Sequence, residues 1–207
     1  SAPIANDIYL VEKFFNEGLR FMQLTYNNQT ALAGGCFEPI DSGLSRFGHA
    51  VIEEMNRLGM IVDLSHAGKK TCLDAIKFSK KPVAISHANP TFFHKSIRNI
   101  ESDVLKKLVN KNGFIGLSLY PYHLKNLGKC KEEDFAQMIK DLIQLIGEDN
   151  IGIGSDLCLN WPNEVVMWMR NGKWTKKIDY GESKEKNPEW PELPSWYNKP
   201  GDLKNLF

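Results

Sequence analysis

Two hydrophobic periods alternate along the chain. Short apolar, β-prone runs stand at Arg20–Thr25 (RFMQLT), Met60–Ser65 (MIVDLS), Pro82–Ser86 (PVAIS), Phe114–Tyr120 (FIGLSLY) and Ile151–Ser155 (IGIGS). Between them lie stretches with a 3.6-residue stripe, at 45–58, 69–78, 101–110 and 132–146. Ile52, Met55 and Leu58 form one such stripe, and Leu105, Leu108 and Val109 another, the spacing that lines one face of a helix. Gly59 and Gly113 stand where helix C-caps are expected. Strand, helix, strand repetition predicts βα units and an α/β fold with a parallel sheet or barrel. A complete (β/α)8 barrel takes about 250 residues, and this chain of 207 residues has room for about five strands before the pattern breaks. Either the fold is smaller than a barrel or the chain is incomplete, and the expectation is a single domain over 1–207. Within it, 157–207 forms an irregular loop or lid, where Trp161, Trp168, Trp174, Trp190 and Trp196 appear among Pro, Lys and Glu.

Composition narrows the class. Apolar residues make up 42% and charged residues 25%, the balance of a globular chain with a real core. With 26 Lys+Arg against 25 Asp+Glu, the net charge is +1, so no overall electrostatic footprint points to nucleic acid or an anionic membrane. No apolar run approaches the roughly 20 residues of a membrane-spanning helix. The N-terminal SAPIANDIYL lacks an initiator Met, a basic segment and an apolar segment, so it is not read as a signal peptide. Cys36, Cys72, Cys130 and Cys158 are widely spread and form no disulfide or metal spacing. The compartment stays open between cytoplasmic and periplasmic or secreted.

The chemistry is suggested by where polar residues follow the strands. His66, His87 and Asp156 come at the ends of V-D-L-S-H, A-I-S-H and G-I-G-S-D, and the carboxyl ends of parallel strands are the active-site rim of βα folds. Neutral imidazoles bind Zn²⁺, and a carboxylate completes a site or takes a proton from an activated water. For either histidine alone, the alternative is a hydrogen-bonded rim residue. Arg98, eleven residues after His87, either reaches over the mouth to grip a carboxylate or is a solvated or structurally paired arginine; on the residues alone the second reading leads. Asp63 lies deeper on the strand of His66 and reads as a supporting group. His49, His94 and His123 read as surface or helix-packing residues, and Cys158 as a small apolar group.

These strings resemble the membrane (renal) dipeptidase family of zinc peptidases over nearly the whole chain. The resemblance rests on GLRFMQLTYN (18–27), GLSRFGHAVIEEMNRLGMIVDLSHAG (43–68), PVAISHANP (82–90), Arg98-Asn99 and IGIGSD (151–156). It implies a (β/α)8 TIM barrel with two Zn²⁺ per complete site, of which this chain covers roughly strands four to eight. His66 and His87 would bind metal, Arg98 and Tyr26 substrate, and Asp156 would act on the catalytic water. The reaction would be hydrolysis of a dipeptide amide bond. Three departures stand out. The family's upstream His-x-Asp and bridging Glu lie on strands upstream of anything present here, Tyr26 replaces a substrate-contacting histidine, and Leu157-Cys158 replaces Phe-Asp-Gly; together with the Trp-rich stretch, this suggests a bacterial-type branch. The partners implied are a small peptide, with a homodimer compatible. Two other readings are a non-catalytic barrel that binds a peptide or small ligand, and another amidohydrolase-like hydrolase acting on esters or phosphoesters.

Overall fold

A computed structural model of the chain describes residues 2–158 and 191–206. All five sequence-predicted strands form, four of them shorter than expected and β3 shifted to run two residues past Ser86, through His87: β1 (Phe21–Gln23), β2 (Ile61–Asp63), β3 (Ala84–Ala88), β4 (Phe114–Leu117) and β5 (Ile151–Ile153). Every pairing is parallel, and the sheet order is that of the sequence, β1-β2-β3-β4-β5. With right-handed crossovers, an unbroken order carries the connecting helices along one face, as in a barrel wall; a doubly wound sheet reverses its order midway.

Those helices are α1 (Tyr9–Asn16), α2 (Arg46–Leu58), α3 (Lys69–Phe78), α4 (Ser102–Val109) and α5 (Glu132–Ile146). Helix α2 starts where Ser45 accepts a hydrogen bond from Gly48 N (2.9 Å) and ends where Gly59 takes φ +78°. Its buried stripe is Val51, Ile52 and Met55. Against it and its neighbours pack Val62, Ile85, Ile115 and Leu117 from the strands, Leu105 and Leu108 from α4, and Phe135 and Leu142 from α5. Full burial of one such side chain contributes roughly 1.5–3 kcal/mol.

Two expectations change. Helix α1 was not anticipated; it carries no side-chain N-cap bond and buries only Val11, so its start signal is weak. Gly113 is not a C-cap: α4 ends at Val109 with Asn110 as its C-cap, and the left-handed residue after it is Asn112 (φ +54°). Gly113 is instead needed because a Cβ there would lie 2.6 Å from the Val83 carbonyl.

The irregular-segment expectation for 157–207 falls largely on 159–190, outside the described residues, together with four of its five tryptophans. Of the remainder, Tyr197 is buried, and Trp196 donates from Nε1 to Cys130 O at 2.8 Å with its ring 5.6 Å from Phe135. Residues 191–206 therefore include a patch packed on α5. Among the described residues, no helix is long and apolar enough to cross a membrane.

Candidate active site

At the carboxyl ends of the strands the chain leaves the ladder and its polar residues gather. His66 lies three residues past β2 with φ +68°, a backbone turn that swings it out of the strand path. His87 stays inside β3. The two Nε2 atoms face each other at 2.9 Å. Behind them, His66 Nδ1 is 2.6 Å from Asn27 Oδ1, and His87 Nδ1 is 2.8 Å from Ser86 Oγ. Tyr26, after β1, stacks on the His66 ring with centroids 4.0 Å apart and planes at 24°.

Asp63 anchors this arrangement from below. Its Oδ1 accepts from Ser65 N and Ser86 N, both at 3.0 Å, and its Oδ2 accepts from Ser86 Oγ at 2.6 Å and Gln23 Nε2 at 3.2 Å. One buried carboxylate thus ties β1, β2 and β3 beneath the histidines, the supporting position expected of it. Room for Ser86 comes from the neighbouring strands, because a Cβ at Gly116 or Gly154 would collide with the Ser86 carbonyl.

Arg98 is buried, at 3% exposure, so the solvated reading fails. Its guanidinium donates to His87 O at 3.4 Å, and among the described residues no carboxylate lies in ion-pair range of it. Asp156 (φ +52°) follows β5. Burial pushes its carboxyl up from the usual range, while His87 and Arg98 pull against that rise. His66 is held well below the usual imidazole range by burial first, then by Arg98, His87 and His123. His87 is lowered by burial, partly offset by Asp156. Both rings are therefore neutral at ordinary pH, the protonation state that ligates a metal.

His123 departs from the surface reading. It is buried at 2% exposure, its Nδ1 lies 2.8 Å from Ser118 Oγ, and its backbone carbonyl accepts from Asn89 Nδ2 (3.1 Å) and Asn99 Nδ2 (3.0 Å). Burial and Arg98 keep its ring neutral. The Y-P-Y-H string gave no hint, since its placement depends on two asparagines 34 and 24 residues upstream. His49 does pack as a helix residue, edge-on to Phe78 at 4.4 Å. Cys158 is half-buried with its thiol pushed up by burial, in keeping with a chemically quiet group.

The donor set suits a divalent metal in part. Two neutral imidazole nitrogens 2.9 Å apart can both reach one ion at bond lengths of about 2.0–2.1 Å. Among the described residues, no group of three or more His, Cys, Asp or Glu gathers to hold a metal. The described residues thus bring together two imidazole nitrogens and no third ligand-type group.

A parallel β/α sheet of partial-barrel type thus carries on its carboxyl rim two converged imidazoles, a buried arginine with no carboxylate partner among the described residues, and a carboxyl raised by burial. The family model of membrane dipeptidases (peptidase family M19) matches residues 1–162, and the chain belongs to that family. An uncharacterized dipeptidase of Schizosaccharomyces pombe is 31% identical over 159 residues, covering 74% of this chain and 38% of its own length. A dipeptidase of Claviceps purpurea is 30% identical over 191 residues, covering 85% of this chain and 45% of its own. Among solved structures, an amidohydrolase from Pseudomonas aeruginosa superposes with a TM-score of 0.88 at 32% identity, over 98% of this chain and 60% of that one. A metallo peptidase from Rhodobacter sphaeroides, solved with a phosphinate mimic of the dipeptide L-Ala-D-Ala, gives 0.67 at 25% identity over 73% of this chain and 46% of that one. The chain spans less than half the length of these curated relatives.

Proposed function

We propose that this chain carries part of the active site of a zinc-dependent dipeptidase, with His66 and His87 as ligands to one ion of a two-zinc site. The observation that carries this reading is the pair of imidazole Nε2 atoms facing each other at 2.9 Å. Family membership supports the activity, and the dipeptide mimic bound to the Rhodobacter sphaeroides relative supports the substrate class. Zinc supplies Lewis-acid polarisation of the scissile carbonyl and lowers the pKa of water.

The residues of this chain do the rest. Arg98 takes the C-terminal carboxylate of the dipeptide. A buried guanidinium with no acidic partner among the described residues is matched by a carboxylate ligand, which it can hold bidentately. Asp156, raised by burial, accepts the proton of the attacking water and returns it to the leaving amine, the role for which a raised carboxyl is tuned. Tyr26 flanks the entrance, 46% exposed and stacked on His66, where its hydroxyl donates towards the substrate carbonyl oxygen.

The test uses the intact natural protein. The expected result is bound zinc, dipeptide hydrolysis abolished by a chelator and restored by Zn²⁺, and loss of both metal and activity in His66→Ala and His87→Ala. Protein that binds no divalent metal, or hydrolysis unchanged in both variants, overturns the reading; ligand binding without turnover then identifies the non-catalytic barrel.

A further inference from the structure

The two imidazoles are steadied by chemically different groups, and those groups dictate where the ring protons sit. An amide oxygen only accepts, so His66 Nδ1, 2.6 Å from Asn27 Oδ1, carries a proton. The same Oδ1 also accepts from Cys36 Sγ at 3.7 Å, and two donors on one side orient the amide with its oxygen towards the ring. For His87 the order is set one step further back. Ser86 gives its hydroxyl hydrogen to Asp63 Oδ2 at 2.6 Å, so it meets His87 Nδ1 with a lone pair at 2.8 Å. Ser65 Oγ, 3.1 Å away, donates to the other lone pair, which leaves Ser86 fully satisfied and His87 Nδ1 protonated. Both rings then present bare lone pairs at Nε2, and these face each other at 2.9 Å. With neither nitrogen able to donate, the contact is repulsive until a cation enters between them.

We propose that Asn27 and the Asp63–Ser86 relay are positioning residues that lock both histidines in the Nδ1–H tautomer, so that the metal-free protein already holds two facing lone pairs for a divalent cation. This rests on the reading of His66 and His87 as ligands. The locks are unequal. Asn27 is a neutral amide on a left-handed turn (φ +63°), held where Phe37 N donates to its carbonyl at 2.9 Å. The His87 lock ends in a carboxylate fixed by three further bonds. Loss of Asn27 therefore frees the His66 ring alone, and loss of the Ser86 hydroxyl frees His87 alone.

The test combines two-bond ¹H–¹⁵N correlation spectra of the histidine rings in metal-free intact protein with zinc affinity measured by chelator competition. Asn27→Gly removes the side chain while accepting the positive φ without strain, Asn27→Asp restores an acceptor, and Ser86→Ala breaks the relay. Wild type is expected to show pyrrole-type Nδ1 and pyridine-type Nε2 on both rings. Asn27→Gly should give mixed tautomers at His66 only and a roughly ten- to hundredfold loss of zinc affinity, Asn27→Asp should reverse both, and Ser86→Ala should act on His87. An Nε2–H tautomer on either ring in wild type, or unchanged tautomers and affinity in folded Asn27→Gly and Ser86→Ala, overturns the proposal. A wild type that shows the two tautomers and takes up no zinc overturns the ligand reading instead.

Discussion

Replacing Asp63 by Asn isolates what one carboxylate contributes to the platform under the histidines. The side chain is 5% exposed and accepts four hydrogen bonds, from β1, β3 and the turn after β2. Asparagine is nearly isosteric and keeps one acceptor oxygen, which can retain the two backbone donors, Ser65 N and Ser86 N. Those bonds fall from charge-assisted to neutral strength, a loss of about 1 kcal/mol each. On the other side an NH2 group now faces Ser86 Oγ and Gln23 Nε2. The hydroxyl can rotate to accept, and the glutamine amide must turn over or lose its partner, adding up to about 2 kcal/mol. The sum is a destabilisation of roughly 2–4 kcal/mol, which at a urea m-value near 2 kcal/mol/M lowers the unfolding midpoint by about 1–2 M. Equilibrium urea unfolding of wild type and Asp63→Asn, followed by far-UV circular dichroism with chelator present, measures it. A loss below about 1 kcal/mol with unchanged m-value refutes the idea that this carboxylate ties the strands together.

Three further outcomes are expected. The metal-free protein should lose stability as pH falls below about 6.5: His66, His87 and His123 have lowered pKa values in the folded state, so the unfolded chain binds more protons there, at up to roughly 1.4 kcal/mol per pH unit for each group. Asp156, raised when folded, acts with the opposite sign and returns stability as pH drops through its folded pKa; a urea midpoint flat between about pH 7.5 and 5.5 contradicts the histidine argument. Gly154→Ala, whose Cβ would collide with the Ser86 carbonyl, should cost about 1–3 kcal/mol by thermal unfolding, and a neutral result means the strands can spread. Arg98→Met should lower kcat/KM for free dipeptides roughly ten- to hundredfold, the value of one charge-assisted bond, and leave C-terminal dipeptide amides nearly unaffected; an equal loss on both substrates refutes carboxylate recognition.

Much of this fold was legible because βα units announce themselves locally. Ile52, Met55 and Leu58 fix a helix face, and V-A-I-S-H can only be a short buried strand. The coincidence of Ser65-His66 and Ser86-His87 at two successive strand ends was the visible trace of the site. What escaped was anything decided by tertiary reach. Asn27 meets His66 across 39 residues, and Asp63 meets Ser86 across 23. No periodicity connects such positions. The burial of Arg98 escaped for the same reason, since N-P-T-F-F-H-K-S-I-R is polar enough for an exposed loop. Its descent into the site follows from the Asn99 side chain, which links the two ends of that loop by accepting from the Asn89 backbone N at Oδ1 (3.0 Å).

Backbone conformation explains how side chains from different strands meet. Asn27, His66 and Asp156, beyond the ends of β1, β2 and β5, all have left-handed φ values, +63°, +68° and +52°. A continuing strand would send successive side chains to opposite faces and carry these groups past one another. A left-handed residue breaks that alternation and turns its side chain off the strand axis, at a cost of order 1–3 kcal/mol for a residue other than glycine. Asn, Asp and His are the residue types that tolerate the region best. The backbone repays part of the cost locally: the His66 carbonyl accepts from Cys36 N at 2.9 Å and Thr25 Oγ1 at 3.2 Å. His87 needs no such turn because it remains in β3, and its ring is met by the one that His66 brings to it. These three turns stand where convergence demands them, while the ladder beneath supplies the rigidity that holds the two Nε2 atoms 2.9 Å apart.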